Sequence, residues 1–367
     1  MKPLSTLYSS YFASTSVLSY REDERIFRTR FKRACFYFFL ILVAFILILT
    51  SLGIGATEYH YFIGNLILVN LSAVIGLQLL FGFTGLLSLG HAAFMGVGAY
   101  TSAVLITRFG SPFILSLLAG GLMAALCGII VGIPSLRLKG FYLMVATLAF
   151  QFVTEYTLFH WEGVTMGIRG IELPTPYILG ISLKNNQSYF VFLFLLTVIL
   201  MWGAKNITRS KIGRAFIAIR DSDVSAEIIG IPVFRYKVLA FALSAFYAGL
   251  AGAAYASLFR SAIPEDYLFN VSIVFFAMVL LGGLGVLVGT IFGVIFVSLI
   301  PVLLDLFVAW LAEVYDPNVT MLLGPMKDFV FGCLIVLFVI FKPEGLVGLW
   351  NRVRDYFKIW PLPYISK

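Results

Sequence analysis

Charge is scarce in this chain. Asp, Glu, Lys and Arg make up 12% of its 367 residues, about half the share of an ordinary soluble domain. A water-exposed surface of normal extent needs more than that. Cysteine is scarcer still, with Cys35, Cys127 and Cys333 all in apolar stretches. No Cys-x-x-Cys and no closely spaced even set occurs, which excludes a disulfide scaffold and reads as reduced, structural thiols. His60, His91 and His160 lie far apart, without metal-ligand spacing. There is no Gly-x-x-x-x-Gly-Lys-Ser/Thr loop to cradle nucleotide phosphates and no His-Glu-x-x-His. No nucleophile–base pairing or carboxylate pair at helical spacing points to an enzyme. The net charge of +8 sits in short segments between apolar runs and reads as membrane topology, not as a nucleic-acid footprint.

What is abundant is apolar length. Hydrophobic residues make up 60% of the chain, in runs near 34–52, 61–81, 86–107, 113–133, 140–159, 189–204, 237–258, 271–283, 286–312 and 327–341. Most approach the ~20 residues that cross a bilayer as a helix. The expected fold is all-α: a polytopic transmembrane helix bundle of about ten segments, some of them broken or re-entrant at glycines. The run 271–283 is short and ends at Gly282-Gly283, as a half-helix would. Lys and Arg concentrate in residues 1–33, in 205–237 and after 341, and all three fall on one side when the spans are counted. The positive-inside rule makes that side cytoplasmic. Residues 1–33 then read as a cytoplasmic extension, 34–341 as the membrane domain and 342–367 as a cytoplasmic tail. The 160–188 segment falls outside.

Three stretches carry more than lipid-spanning demands. The first runs from Gly82 to Tyr100, with glycines at 82, 85, 90, 96 and 98 beside Thr84, Ser88 and His91. Irregular or closely packed backbone is tolerated in hydrocarbon only inside a bundle or beside a cavity. The second is Leu280–Gly293, with glycines at 282, 283, 285, 289 and 293. Gly289/Gly293 has the small-xxx-small spacing of close helix contact. Broken helices in both halves of a transporter often line the substrate route, which makes Gly82, Thr84, Gly85, Ser88, His91, Gly282, Gly283 and Gly285 candidate pathway residues. A tight helix contact with a neutral, hydrogen-bonded His91 fits the first cluster equally. The third stretch, Ile212–Ile231, is not a solvated linker, because Phe216, Ile219, Ile228 and Ile229 need cover. Asp221 and Asp223 mark the start of a second short helix, and Gly230 before Pro232 a stop. Such an element suits a partner groove or the headgroup layer.

Together these strings resemble the permease subunits of branched-chain amino acid ABC importers, of the second-permease type. The resemblance is carried by Gly82–Tyr100, Gly213–Gly230, Tyr236-Lys237, Gly249-Leu-Ala-Gly252, Leu280–Gly293 and Lys342-Pro-Glu-Gly-Leu-Val347, and covers about 61 to 350. Ser225-Ala226-Glu227 with Gly230 looks like a variant of the Glu-Ala-Ala…Gly loop through which such permeases contact their ATPase. It implies a coupling core of Ala226, Glu227 and Gly230, with Arg214, Arg220 and Asp221 as polar neighbours. It also implies two ABC ATPase subunits, a second homologous permease and an extracytoplasmic substrate-binding protein. No cofactor is expected in this chain, since the partners bind ATP. The expected location is a bacterial or archaeal plasma membrane, with both termini cytoplasmic.

The chain departs from the family pattern in the external loop Val164–Ile171, where Met166 replaces a usual glycine and Arg169 a usual Asn or Asp. Thr165 and Arg169 are candidate contacts there. Arg169 suits a substrate carboxylate or the delivering protein, or is a surface charge without a role. Glu155 and Asp305 lie near span ends and read as interfacial. Relatives that carry urea or short amides keep the substrate open. A stand-alone secondary carrier or channel fits the glycine clusters but has no use for the apolar loop.

Overall fold

The computed structural model describes residues 58–135, 140–178, 180–314, 329–333, 335–337, 340 and 345–348. The predicted arm 1–33, the span 34–52 and most of the tail lie outside these residues, as does part of 327–341. His60–Asn351 pack as one compact unit.

The long helices are α1 (Glu58–Leu77), α2 (His91–Phe109), α3 (Phe113–Ser135) and α4 (Phe141–His160). A short α5 (Glu162–Thr165), β1 (Ile171–Glu172), β2 (Tyr177–Ile178) and β3 (Ile181–Ser182) lead to α6 (Asn186–Arg209). Next come α7 (Lys211–Asp221), α8 (Asp223–Ile228) and α9 (Val233–Phe259), followed by β4 (Ser261–Ala262), a 3₁₀ turn (Pro264–Tyr267), α10 (Phe269–Gly282) and α11 (Leu287–Val314). Among the described residues, eight helical segments are long and apolar enough to cross a membrane. The protein is a polytopic helical bundle. The other two expected segments are 34–52, outside the described residues, and 327–341, described only in part.

Two segments sit deepest. The α1 segment and α9 bury 72% and 67% of their spanning windows, against 22% for α6 and 28% for α11. What allows α9 to pack closely against both α2 and α3 is the absence of side chains. A Cβ on Gly98 would run into the backbone of Gly249, and one on Gly120 would lie 2.5 Å from the Gly98 carbonyl. Small residues thus bring three backbones together, which packs helices where lipid supplies no hydrophobic drive. The outer faces of α3 and α6 carry exposed Leu118, Leu122, Ile130, Ile199 and Trp202, as lipid-facing helices should.

The expected span 86–107 needs correction: its helix starts at His91. Residues 85–90 leave helical geometry because Gly85 takes φ +71°, and the Leu89 N–H is claimed by Thr147 Oγ1 at 3.0 Å. The short run 271–283 gains length from the 3₁₀ turn, so that Pro264–Gly282 forms one 19-residue candidate span.

The two ends of the bundle differ. At one end, β1 pairs antiparallel with β4, Ile171 opposite Ala262. There Arg108 donates to the carbonyl of Gly163 at 2.6 Å and Arg260 to that of Lys184 at 2.8 Å. At the other end, α7 and α8 lie against the glycine breaks.

Candidate functional site

At residue 78, α1 widens into a π-helical turn, Gln78–Phe83. Such turns are rare and recur at functional sites. Gln78 is fully buried. Its amide donates to the carbonyls of Gly283 at 3.0 Å and Val286 at 3.4 Å, which tie the turn to the break between α10 and α11. That break exists because Gly283 and Gly285 take φ +109° and +75°, values that side chains oppose. A Cβ on Gly82 would lie 2.8 Å from the Gly285 nitrogen. The two glycine clusters therefore meet.

Arg220, the penultimate residue of α7, enters this junction. Its Nη1 donates to the Gly82 carbonyl at 2.7 Å. A Cβ on Gly85 would lie 3.3 Å from Arg220 Cγ, and one on Gly285 2.6 Å from its Nη1. One guanidinium thus occupies space left by glycines of both clusters. Thr84 folds its hydroxyl back onto the Leu80 carbonyl. Beside the junction lies a cavity of about 300 Å³ lined by Thr84–Leu87, Gly140, Leu143, the α7–α8 joint and Lys237.

Capping fixes α7 and α8. Ser210 Oγ accepts from the Ile212 N–H, and Ser222 Oγ from the Ser225 N–H; an N-cap of this kind contributes about 1 kcal/mol. Lys237 Nζ meets Asp223 Oδ2 at 2.6 Å, with the lysine side chain only 5% exposed. That pair pins the start of α8 to α9. On α7, Phe216 and Ile219 are buried, whereas Val224, Ile228 and Ile229 of the α8 segment stand 59%, 79% and 71% exposed. Ala226 is buried while Arg214, Asp221 and Glu227 are exposed, and Gly230 turns the chain at φ +84°.

The remaining sequence candidates are not among the partners of Gln78 and Arg220, although Gly282 stands next to the break itself. His91 is fully buried; its Nε2 lies 2.8 Å from the Ala73 carbonyl and its ring stands edge-on to Phe275. Ser88 is buried without a partner for its hydroxyl among the described residues. Gly282 lies against the backbone of Gly289, so the close contact expected at Gly289/Gly293 is made with α10. At the opposite end, Thr165 is buried and closes its own turn by donating to the Trp161 carbonyl at 2.8 Å. Arg169 is exposed. Met166 holds φ +61°, which explains why glycine is usual at that place. From the sequence, Gln78 carried no assigned role, and Asp223 was not paired with Lys237.

Residues 62–339 match the family described as the permease component of branched-chain amino acid transport systems. The chain belongs to this ABC permease family. It is 30% identical over 334 residues to the high-affinity branched-chain amino acid transport system permease protein LivM of Escherichia coli, covering 84% of this chain and 75% of that protein. A probable branched-chain amino acid permease LivM of Methanocaldococcus jannaschii is 26% identical over 62% of this permease and 66% of its own length. The fructose import permease FrcC of Rhizobium meliloti is 26% identical over 70% of the chain and 75% of its own length. No solved structure matches the chain. The permease is thus a multi-pass membrane transport protein, and its relatives span amino acid and sugar carriage.

Proposed function

We propose that this permease forms half of the translocation unit of an ABC importer for branched-chain or other small amino acids. Separate ATPase subunits bind and hydrolyse ATP, a second permease completes the path, and an extracytoplasmic binding protein delivers substrate. The end of the bundle bearing α7 and α8 is cytoplasmic in this reading, and the β1–β4 end receives the binding protein. Exposed Val224, Ile228 and Ile229 with Glu227 and Gly230 are the surface offered to an ATPase groove. The observation that carries the reading is Arg220, which belongs to the loop yet seats between the two glycine breaks. Movement of the loop by the ATPase reaches Gly82, Gly85 and Gly285 through that one side chain. The coupling core of Ala226, Glu227 and Gly230 and the pathway role of the glycines belong to this proposal.

The test is reconstitution of the complex from mild detergent into liposomes, with ATP inside and loaded binding protein outside. ATP-dependent uptake of leucine is the expected result, and Glu227→Lys should hydrolyse ATP without uptake. Isolation of the chain alone, transporting without ATP, would sink the reading in favour of a carrier. The fructose permease among its relatives makes fructose the control substrate, and fructose uptake in place of leucine would move the permease to the sugar branch.

A further inference from the structure

We infer that the face of α4 around Glu155 lines the substrate path, and that the Glu155 carboxylate receives the ammonium group of the passing amino acid. The inference rests on the amino acid reading above and adds the residue that senses the substrate's charge.

Glu155 lies within the spanning helix Phe141–His160. Near a span end, an acidic side chain ordinarily reaches outward to water. Here it is drawn the other way. Side chains on a helix lean toward its N-terminus, and Glu155 Oε1 accepts from Gln151 Nε2, one turn deeper, at 2.9 Å. Gln151 is fully buried, and its amide is spent. Its Nε2 also donates to the Tyr267 carbonyl at 2.8 Å. Its Oε1 accepts from the Ala93 N–H at 2.8 Å and from Ser272 Oγ at 3.2 Å. That fills the two donors and two acceptor sites an amide has. Two main-chain groups and the Ser272 hydroxyl thus hold the amide that draws the carboxylate inward, with its second oxygen left over. Among the described residues the Glu155 carboxylate has no ion-pair partner.

The surroundings define what fits. Phe152 shares the α4 face with Glu155 at i, i+3, is 52% exposed, and has its ring 5.8 Å from that of Phe269 on α10. Ile273, 47% exposed, and exposed Asn270 continue the surface. Ionisable side chains inside a membrane face the bundle interior or a water-filled route, not lipid. An anion on an otherwise apolar, aromatic face suits a small molecule with an ammonium at one end and a hydrocarbon side chain at the other. Aromatic faces add attraction for the cation.

The experiment uses the full complex in liposomes, with leucine uptake scored per assembled complex. Glu155→Gln keeps the acceptor for Gln151 and removes the charge. Charge-assisted hydrogen bonds are the strong ones, so maximal uptake should fall about tenfold, with KM, set by the delivering protein, unchanged. Glu155→Asp should recover part of the loss, which a purely structural role would not produce. Wild-type uptake by Glu155→Gln overturns the inference while leaving the amino acid reading intact; a wild-type complex that imports no amino acid overturns both. A second measurement decides the matter should Glu155→Gln fail to assemble. In a complex with Cys35, Cys127 and Cys333 replaced by Ala, Asn270→Cys should react with a cationic, membrane-impermeant thiol reagent, and loaded binding protein should slow the reaction. No reaction with or without nucleotide places this face against lipid and overturns the inference.

Discussion

Replacing Arg220 by Met isolates the guanidinium, because the stem beside Gly85 is kept. The bond removed is a 2.7 Å donation from a cation to the Gly82 carbonyl. Hydrogen bonds to charged groups contribute ~1.5–3 kcal/mol, and the exposed position of Arg220 favours the lower figure. Because ~1.4 kcal/mol is a factor of ten in an equilibrium, loss of ~1.5 kcal/mol from one conformation of the junction shifts its population about tenfold. Arg220→Met should therefore raise the ATP hydrolysed per leucine imported several-fold in reconstituted complexes, with little change in the unfolding temperature of the permease. Gly285→Ala supplies an independent check. It forces a side chain into φ +75°, a cost of ~1–2 kcal/mol, and sets a Cβ 2.6 Å from Arg220 Nη1. The second penalty disappears once residue 220 is Met. The double variant should then fall short of additivity by ~0.5 kcal/mol or more, as contacting pairs do. An unchanged ATP-to-leucine ratio in Arg220→Met, together with strict additivity, would refute the reasoning.

Gly98→Ala should lower the unfolding temperature in detergent by the equivalent of ~1–3 kcal/mol, since its methyl runs into the Gly249 backbone; Ala at Gly163, with open space around it, is the control. Asp223→Leu leaves Lys237 buried and uncompensated and should cost ~3 kcal/mol, whereas Asp223→Leu with Lys237→Met should recover most of it. Gln78→Leu should weaken the tie to Gly283 and Val286 by ~1 kcal/mol for each hydrogen bond lost, read as faster hydrogen exchange around Leu284–Val286. Ile228→Ser with Ile229→Ser removes apolar surface from groups already exposed. It should leave the permease folded but reduce recovery of the ATPase subunits in a pull-down.

Much of this was legible in the chain, and the reasons differ by element. The order of the spans follows from length, because hydrocarbon thickness sets the number of apolar residues needed, and eight of the ten or so expected segments are seen among the described residues. The α7 and α8 segment was legible because charged and apolar residues alternate there at helical spacing, and Phe216 and Ile219, sharing a helical face at i, i+3, are buried. Inside the bundle that contrast vanishes. Leu193 and Leu195 stand two residues apart on α6, one fully buried and the other 54% exposed, yet lipid and core accept both. The sequence could therefore say that glycines mark close approach, but not that Gly98 meets Gly249 or that Gly82 meets Gly285.

Gln78, Gln151 and Arg220 show where the missing information lay. Each donates to main-chain carbonyls, of Gly283 and Val286, of Tyr267, and of Gly82. A carbonyl is present at every residue and leaves no compositional trace, so the partner of such a side chain cannot be read from spacing. What the sequence does show is the cost. A polar side chain placed in hydrocarbon is unfavourable unless satisfied, and the sites that bear that cost are the ones where separate helices must be held in register. The π turn of α1, the break before α11 and the end of α7 share no sequence neighbourhood, yet Gln78 and Arg220 bridge the three in one junction.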